Sequence, residues 1–321
     1  MKSLLRFFGK AQATSEESAP WFSELYFELL DYTGNHPFTE VIDPWREKAE
    51  QAIQPLKHYK QIHFPPYPYE VKDEDLWRWY GLSRVNDYLL FGFQARPDFY
   101  RAPSRQSEKW LSWMKYTGHR RLIDQPVTAV ESSEYLEFFS SLGFTTLAEA
   151  PYKPFFHEIV EVVESPEQSE PIVIDHVYWP GLMFGDMLFS RAGVRVRSLP
   201  GVLDKEVAEN SRLYFTFWRA RRETEDLSHG WGSNSQWRTR FRRDYRGDNV
   251  FHYNVDGKYW LDESYYDSMP DDLPPRGDGL TLLDERIELL TNRCLVRCRK
   301  NDHDLWPFDD RFDEPATSFT I

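Results

Sequence analysis

The order of hydrophobic patterns along the chain predicts an α+β fold, helix-rich first and mainly antiparallel sheet second. Three observations carry this prediction. Apolar residues recur at helical spacing before residue 143, strand-like runs dominate after residue 171, and helices and strands do not alternate regularly as a parallel sheet would require.

In the first part, Phe22, Leu25, Tyr26 and Leu29 repeat at 3.6-residue spacing behind Pro20 and stop before Gly34. A second helix is expected from Asp43 as N-cap, with Pro44 just inside, through Trp45, Ala49 and Ile53 to Pro55. Residues 64–69, Phe-Pro-Pro-Tyr-Pro-Tyr, suit neither a helix interior nor a central strand and read as an extended connection with exposed rings. Residues 73–80 and 132–142 complete the helices, the latter closed by Gly143. Segment 164–171 is Pro-bounded and has no apolar residue to bury, so it is the expected linker. Beyond it, 172–177 reads as a strand, as does the alternation of Leu213, Phe215 and Phe217 with Tyr214, Thr216 and Trp218. Asp256-Gly257 between 250–255 and 258–261 is a type I′ hairpin signal. A late helix over 281–290 presents Leu282, Leu283, Ile287 and Leu290. The expected organisation is a flexible or partner-binding arm (1–19), a helix-rich lobe (20–163), the linker, and a sheet-containing lobe (172–321) that could share one core with the first.

Composition excludes several functions. Among 321 residues, 39 Lys and Arg face 52 Asp and Glu, a formal charge of −13, and 12 Trp, 18 Tyr and 23 Phe make the chain rich in rings. Such a composition is not that of a disordered solvating tail, and a net acidic surface opposes general nucleic-acid binding. Apolar runs such as 88–93 fall far short of the ~18 residues of a spanning helix. Arg6 and Lys10 interrupt what would be the apolar region of a signal peptide. Two cysteines, Cys294 and Cys298, are too few for a disulfide framework and read as small core side chains, which fits a reducing cytoplasm.

Motifs of catalysis are missing from the sequence: it contains no dinucleotide or phosphate-binding glycine loop, no His-Glu-x-x-His and no Gly-x-Ser-x-Gly. The nine histidines are scattered, without the i,i+4 spacing of a metal pair. Neither cofactor nor metal site is expected, and Asp302-His303-Asp304 reads as a solvated loop.

Three segments concentrate charge. Residues 212–246 hold nine Arg against four acids, and within them His229, Asn234, Arg238 and Arg240 surround the turn Gly230-Trp231-Gly232. One reading is an anion pocket, with Arg238 and Arg240 gripping a phosphate or carboxylate and His229 as general base. The favoured reading is an internal lattice of arginines paired with the surplus acids. Residues 262–278 carry six acids against Arg276, with Tyr265 and Tyr266 beside Asp267, Asp271 and Asp272. Residues 302–314 carry six against Arg311, with Trp306 beside Asp309, Asp310 and Asp313. Acids steer a basic partner and rings anchor it, which makes these two segments the expected partner-binding surface.

The block His229-Gly-Trp-Gly-Ser-Asn-Ser-Gln-Trp-Arg, the ending Trp306-Pro-Phe-Asp-Asp-Arg-Phe and the acidic, ring-rich composition resemble bacterial immunity proteins encoded beside secreted antibacterial toxins. That resemblance implies a non-enzymatic protein that binds a basic toxin directed at nucleic acid or nucleotides and covers its active site. The alternative is a phosphate- or nucleotide-handling enzyme built on segment 230–246.

Overall fold

The computed structural model describes residues 19–63, 72–94, 130–147, 151–216, 219, 222, 224–225, 242–262, 264, 283–298 and 309–316. The predicted arm, the 64–69 connection and most of the three charged segments lie outside these residues.

The architecture is α+β, with helices first and mostly antiparallel sheets second. Helix α1 (Phe22–Asp31) buries Phe22, Leu25, Tyr26 and Leu29, the predicted stripe, and Glu24 reaches back to accept the Trp21 N–H at 3.2 Å. The next helix starts later than the sequence suggests. A wide helical turn, Phe38–Ile42, comes first, Asp43 to Trp45 form a turn, and α2 runs over Arg46–Ile53 before tightening into a 3₁₀ segment, Gln54–Gln61. The Asp43 carboxylate accepts the Arg46 Nε–H at 3.0 Å.

Helix α3 (Asp73–Gln94) continues well past the predicted end at Tyr80. Gly81 does not stop it: a Cβ there would lie 2.9 Å from the Ser23 amide nitrogen, so this glycine lets α1 approach α3 closely. Helix α4 (Ser132–Ser141) ends as predicted, with Gly143 at φ +91°.

One sheet has the order β1 (Thr145–Thr146), β4 (Leu182–Phe184), β5 (Met187–Ser190), β9 (Asp244–Arg246), β10 (Val250–Tyr253), β12 (Asp310–Pro315), β11 (Tyr259–Trp260). Both faces of its central strands are buried. Leu182, Phe184, Met187, Phe189 and Tyr245 join the aromatic core of helices α1 to α4, where Trp79 meets Phe184 edge-on at 5.3 Å between ring centres. The alternate residues Met183, Leu188, Phe251 and Tyr253 pack with Phe155, Phe156 and Leu290 on the other side. Residues from both expected lobes therefore share one core.

The predicted linker is a loop within a sheet. It joins β2 (His157–Glu164) to β3 (Ile172–Trp179), and both strands flank β6 (Ala192–Ser198), the first in parallel and the second antiparallel. Helix α5 (Lys205–Asn210), N-capped by Asp204, packs against β2. Of the strand expected over 213–218, β7 covers Leu213–Tyr214 and pairs with β8 (Thr224–Glu225); Phe215 then turns the chain at φ +62°, and residues 217 and 218 lie outside the described residues.

The expected hairpin is also corrected. Strands β10 and β11 do not pair with each other; β12 lies between them, antiparallel to β10 and parallel to β11. Asn254, not Gly257, has the positive φ, +48°, and the turn closes through Gly257 N–H to Asn254 O at 2.8 Å. Gly257 is needed for proximity: a Cβ would meet the Asp310 carbonyl oxygen at 2.4 Å.

Candidate functional site

Helix α6 (Leu283–Asn292) lies against β12. Leu283, Ile287 and Leu290, at i, i+4 and i+7, pack toward Phe251, Tyr253, Leu261 and Phe312. Asp284, Glu285 and Glu288 are thereby turned to the flank, where β12 presents Phe312 and Glu314 at alternate positions. Between them runs a groove of about 1020 Å³. Its apolar lining includes Ile287, Phe312 and Pro154, and its charged lining is Asp284, Glu285, Glu288 and Glu314 against Arg297. The Tyr253 hydroxyl donates to Glu314 at 2.7 Å, the Cys298 thiol to Glu285 at 3.1 Å, and Arg297 Nε to Glu288 at 2.6 Å. Four carboxylates over an apolar floor suit a basic, partly apolar segment.

The sequence-predicted partner residues distribute unevenly around this groove. Asp310 is buried and paired with Arg286, so it is not presented to any partner. Asp309 pairs with Lys258 at 3.4 Å, and Asp313 with His252 at 2.9 Å. Exposed Trp260 stacks on the guanidinium of Arg311, 3.9 Å from the ring centre; Arg311 and Asp313 alternate with groove-lining Phe312 and Glu314 and so project from the opposite face of β12. Tyr265, Tyr266, Asp267, Asp271, Asp272 and Trp306 lie outside the described residues. The groove acids on α6 fell between the two segments singled out by charge. Their signal was the i, i+1, i+4 spacing of Asp284, Glu285 and Glu288 on the predicted helix.

His229, Asn234, Arg238 and Arg240 are likewise outside the described residues. Four described arginines of that stretch, Arg219, Arg222, Arg243 and Arg246, are engaged within the chain. Arg219 grips Glu158 through two bonds of 2.9 and 3.0 Å and reaches Asp87 at 3.2 Å, which Arg84 also pairs at 3.1 Å. Arg222 donates to the Ile159 carbonyl at 3.1 Å, Arg243 to Asp256 at 2.6 and 2.9 Å, and Arg246 lies 3.6 Å from Asp186.

Asp244, on β9, is a second hub. It accepts from Arg191 at 3.3 Å, Arg293 at 3.2 Å and the Asn254 amide at 2.8 Å. Phe215, Asn254 and Arg293 are the non-glycine residues of positive φ among those described, and Phe215 packs on Arg293. Backbone strain is thus concentrated around one buried carboxylate. Nearby, His157 is buried with Nδ1 against the Lys153 backbone, 3.1 Å from its nitrogen and 3.0 Å from its oxygen. Burial pushes the imidazole down to about 4, with the field of Arg191 acting in the same direction and the Lys153 hydrogen bond opposing it.

No family model, no curated protein and no solved structure matches the chain. Among the described residues, no group of three or more His, Cys, Asp or Glu is arranged to hold a metal ion, and no helix is long and apolar enough to cross a membrane. Cys294 is buried and Cys298 half-buried, and neither is in a disulfide. The acid-lined groove is the candidate site.

Proposed function

We propose that this chain is a non-enzymatic, cytoplasmic binding protein of the immunity type. It neutralises a basic toxin that acts on nucleic acid or nucleotides, by covering the toxin's active site. The observation that carries this reading is the groove between α6 and β12, in which Asp284, Glu285, Glu288 and Glu314 outnumber Arg297 over an apolar floor. A cationic site built to hold phosphates finds carboxylates there in place of its substrate. The formal charge of −13 adds long-range attraction that accelerates encounter. Such an inhibitor buries on the order of 800 Å² per partner, so the groove forms the centre of a wider contact.

The test takes a basic toxin domain, sought first among the products of genes adjacent to this one, and measures association rates at low and physiological salt; the absence of any such partner would overturn the reading. Asp284→Lys combined with Glu285→Lys is expected to slow association about tenfold at low salt while the helical signal is retained. Unchanged kinetics in the double variant, or no inhibition of the toxin by the unmodified chain, would overturn the reading.

A further inference from the structure

The Glu288–Arg297 ion pair that lines the groove is asymmetric. The Glu288 side chain is 4% exposed, whereas its partner Arg297 is 66% exposed. Among the described residues, Arg297 is the sole hydrogen-bond donor to that carboxylate, through Nε to Oε1 at 2.6 Å. A buried carboxylate needs a compensating cation, and here the cation comes from a surface side chain nine residues along the chain. The guanidinium uses one bond of the two that an arginine–carboxylate pair can form.

We propose that Glu288 is a seat for a guanidinium, that Arg297 is its exchangeable occupant, and that an arginine of the basic partner takes its place. This rests on the reading of the groove as the partner site and specifies the partner's chemistry as arginine rather than lysine. Two features favour arginine. The seat already holds a guanidinium, and its surroundings include Ile287, Phe312 and Pro154, an apolar lining better suited to a weakly hydrated planar cation than to a strongly hydrated ammonium. Asp284, Glu285 and Glu314 then supply steering and secondary contacts, and a displaced Arg297 swings into solvent without leaving Glu288 uncompensated.

The probes are two amidated glycine peptides, one carrying three arginines and the other three lysines, titrated by NMR into the folded chain. In Arg297→Ala the arginine peptide is expected to bind about tenfold more tightly than it binds the unmodified chain, because the resident competitor is gone. It is also expected to outcompete the lysine peptide, and Glu288→Gln is expected to abolish that preference. Equal affinity for both peptides in Arg297→Ala, or a preference that survives Glu288→Gln, would overturn the proposal. Should Arg297→Ala fail to fold, the unmodified chain and Glu288→Gln decide: a weaker arginine preference must be present in the first and lost in the second, and any other result overturns the seat. The peptides require no toxin, so the two readings separate. An arginine preference without toxin inhibition overturns the proposed function alone, and toxin inhibition without an arginine preference overturns the seat alone.

Discussion

Arg219→Ala is expected to destabilise the protein by about 3–5 kcal/mol, the usual range when one partner of a buried ion pair is removed. The side chain is 8% exposed, its guanidinium lies over the Trp179 ring at 5.3 Å, and it compensates two buried carboxylates, Glu158 on β2 and Asp87 on α3. Those elements belong to the sheet part and the helical part respectively, so the loss is expected as one cooperative transition in urea rather than the melting of one lobe. Combining Arg219→Met with Glu158→Leu, while Asp87 keeps its pair with Arg84, is expected to recover a large share of the stability, since apolar groups of similar volume often substitute for a buried ion pair without loss. A loss below about 1 kcal/mol for Arg219→Ala would show that water reaches these carboxylates.

The second large effect depends on pH. His157 is neutral in the fold with its pKa pushed down to about 4, against 6.5 for the ordinary side chain. Below pH 6.5 the unfolded chain binds a proton that the folded chain does not. The contribution of His157 is therefore complete above pH 6.5, falls as the pH drops toward 4, and levels off below that. The full difference is on the order of 3 kcal/mol. Comparing urea midpoints of the unmodified chain and His157→Gln across pH 4 to 7 isolates this effect from carboxylate titration common to both. The expected result is a steeper loss in the unmodified chain, and parallel curves would mean that the imidazole protonates within the fold.

Much of the helical part was legible because its signals are local. The Phe22, Leu25, Tyr26, Leu29 stripe and the Gly143 stop involve residues a few positions apart, and each occurs as expected. Errors arose where distant chain decides the outcome. The helix expected to end at Tyr80 runs on through Gly81, which serves the approach of α1; Gly257 reads as a turn residue, yet it makes room for the Asp310 carbonyl, 53 positions away. The strand β12 that separates β10 from β11 has the sequence Asp-Arg-Phe-Asp-Glu-Pro, which by composition is an acidic loop. The 164–171 segment is polar because it is an exposed loop, and no local feature tells a loop within a sheet from a linker between domains. The groove was half legible. Charge counting found the acids of 302–314 but not those of α6, and it could not tell that Asp310 turns inward to Arg286 while Glu314 turns toward the groove.

The most direct measurement of the groove assignment is amide hydrogen exchange of this chain, free and in complex with the basic toxin domain proposed as its partner. Slowed exchange is expected in α6 and β12, over residues 283–292 and 310–315, with the exposed loop 164–171 on the separate β2–β6–β3 sheet unchanged. Protection elsewhere, with α6 and β12 exchanging as in the free chain, would contradict it.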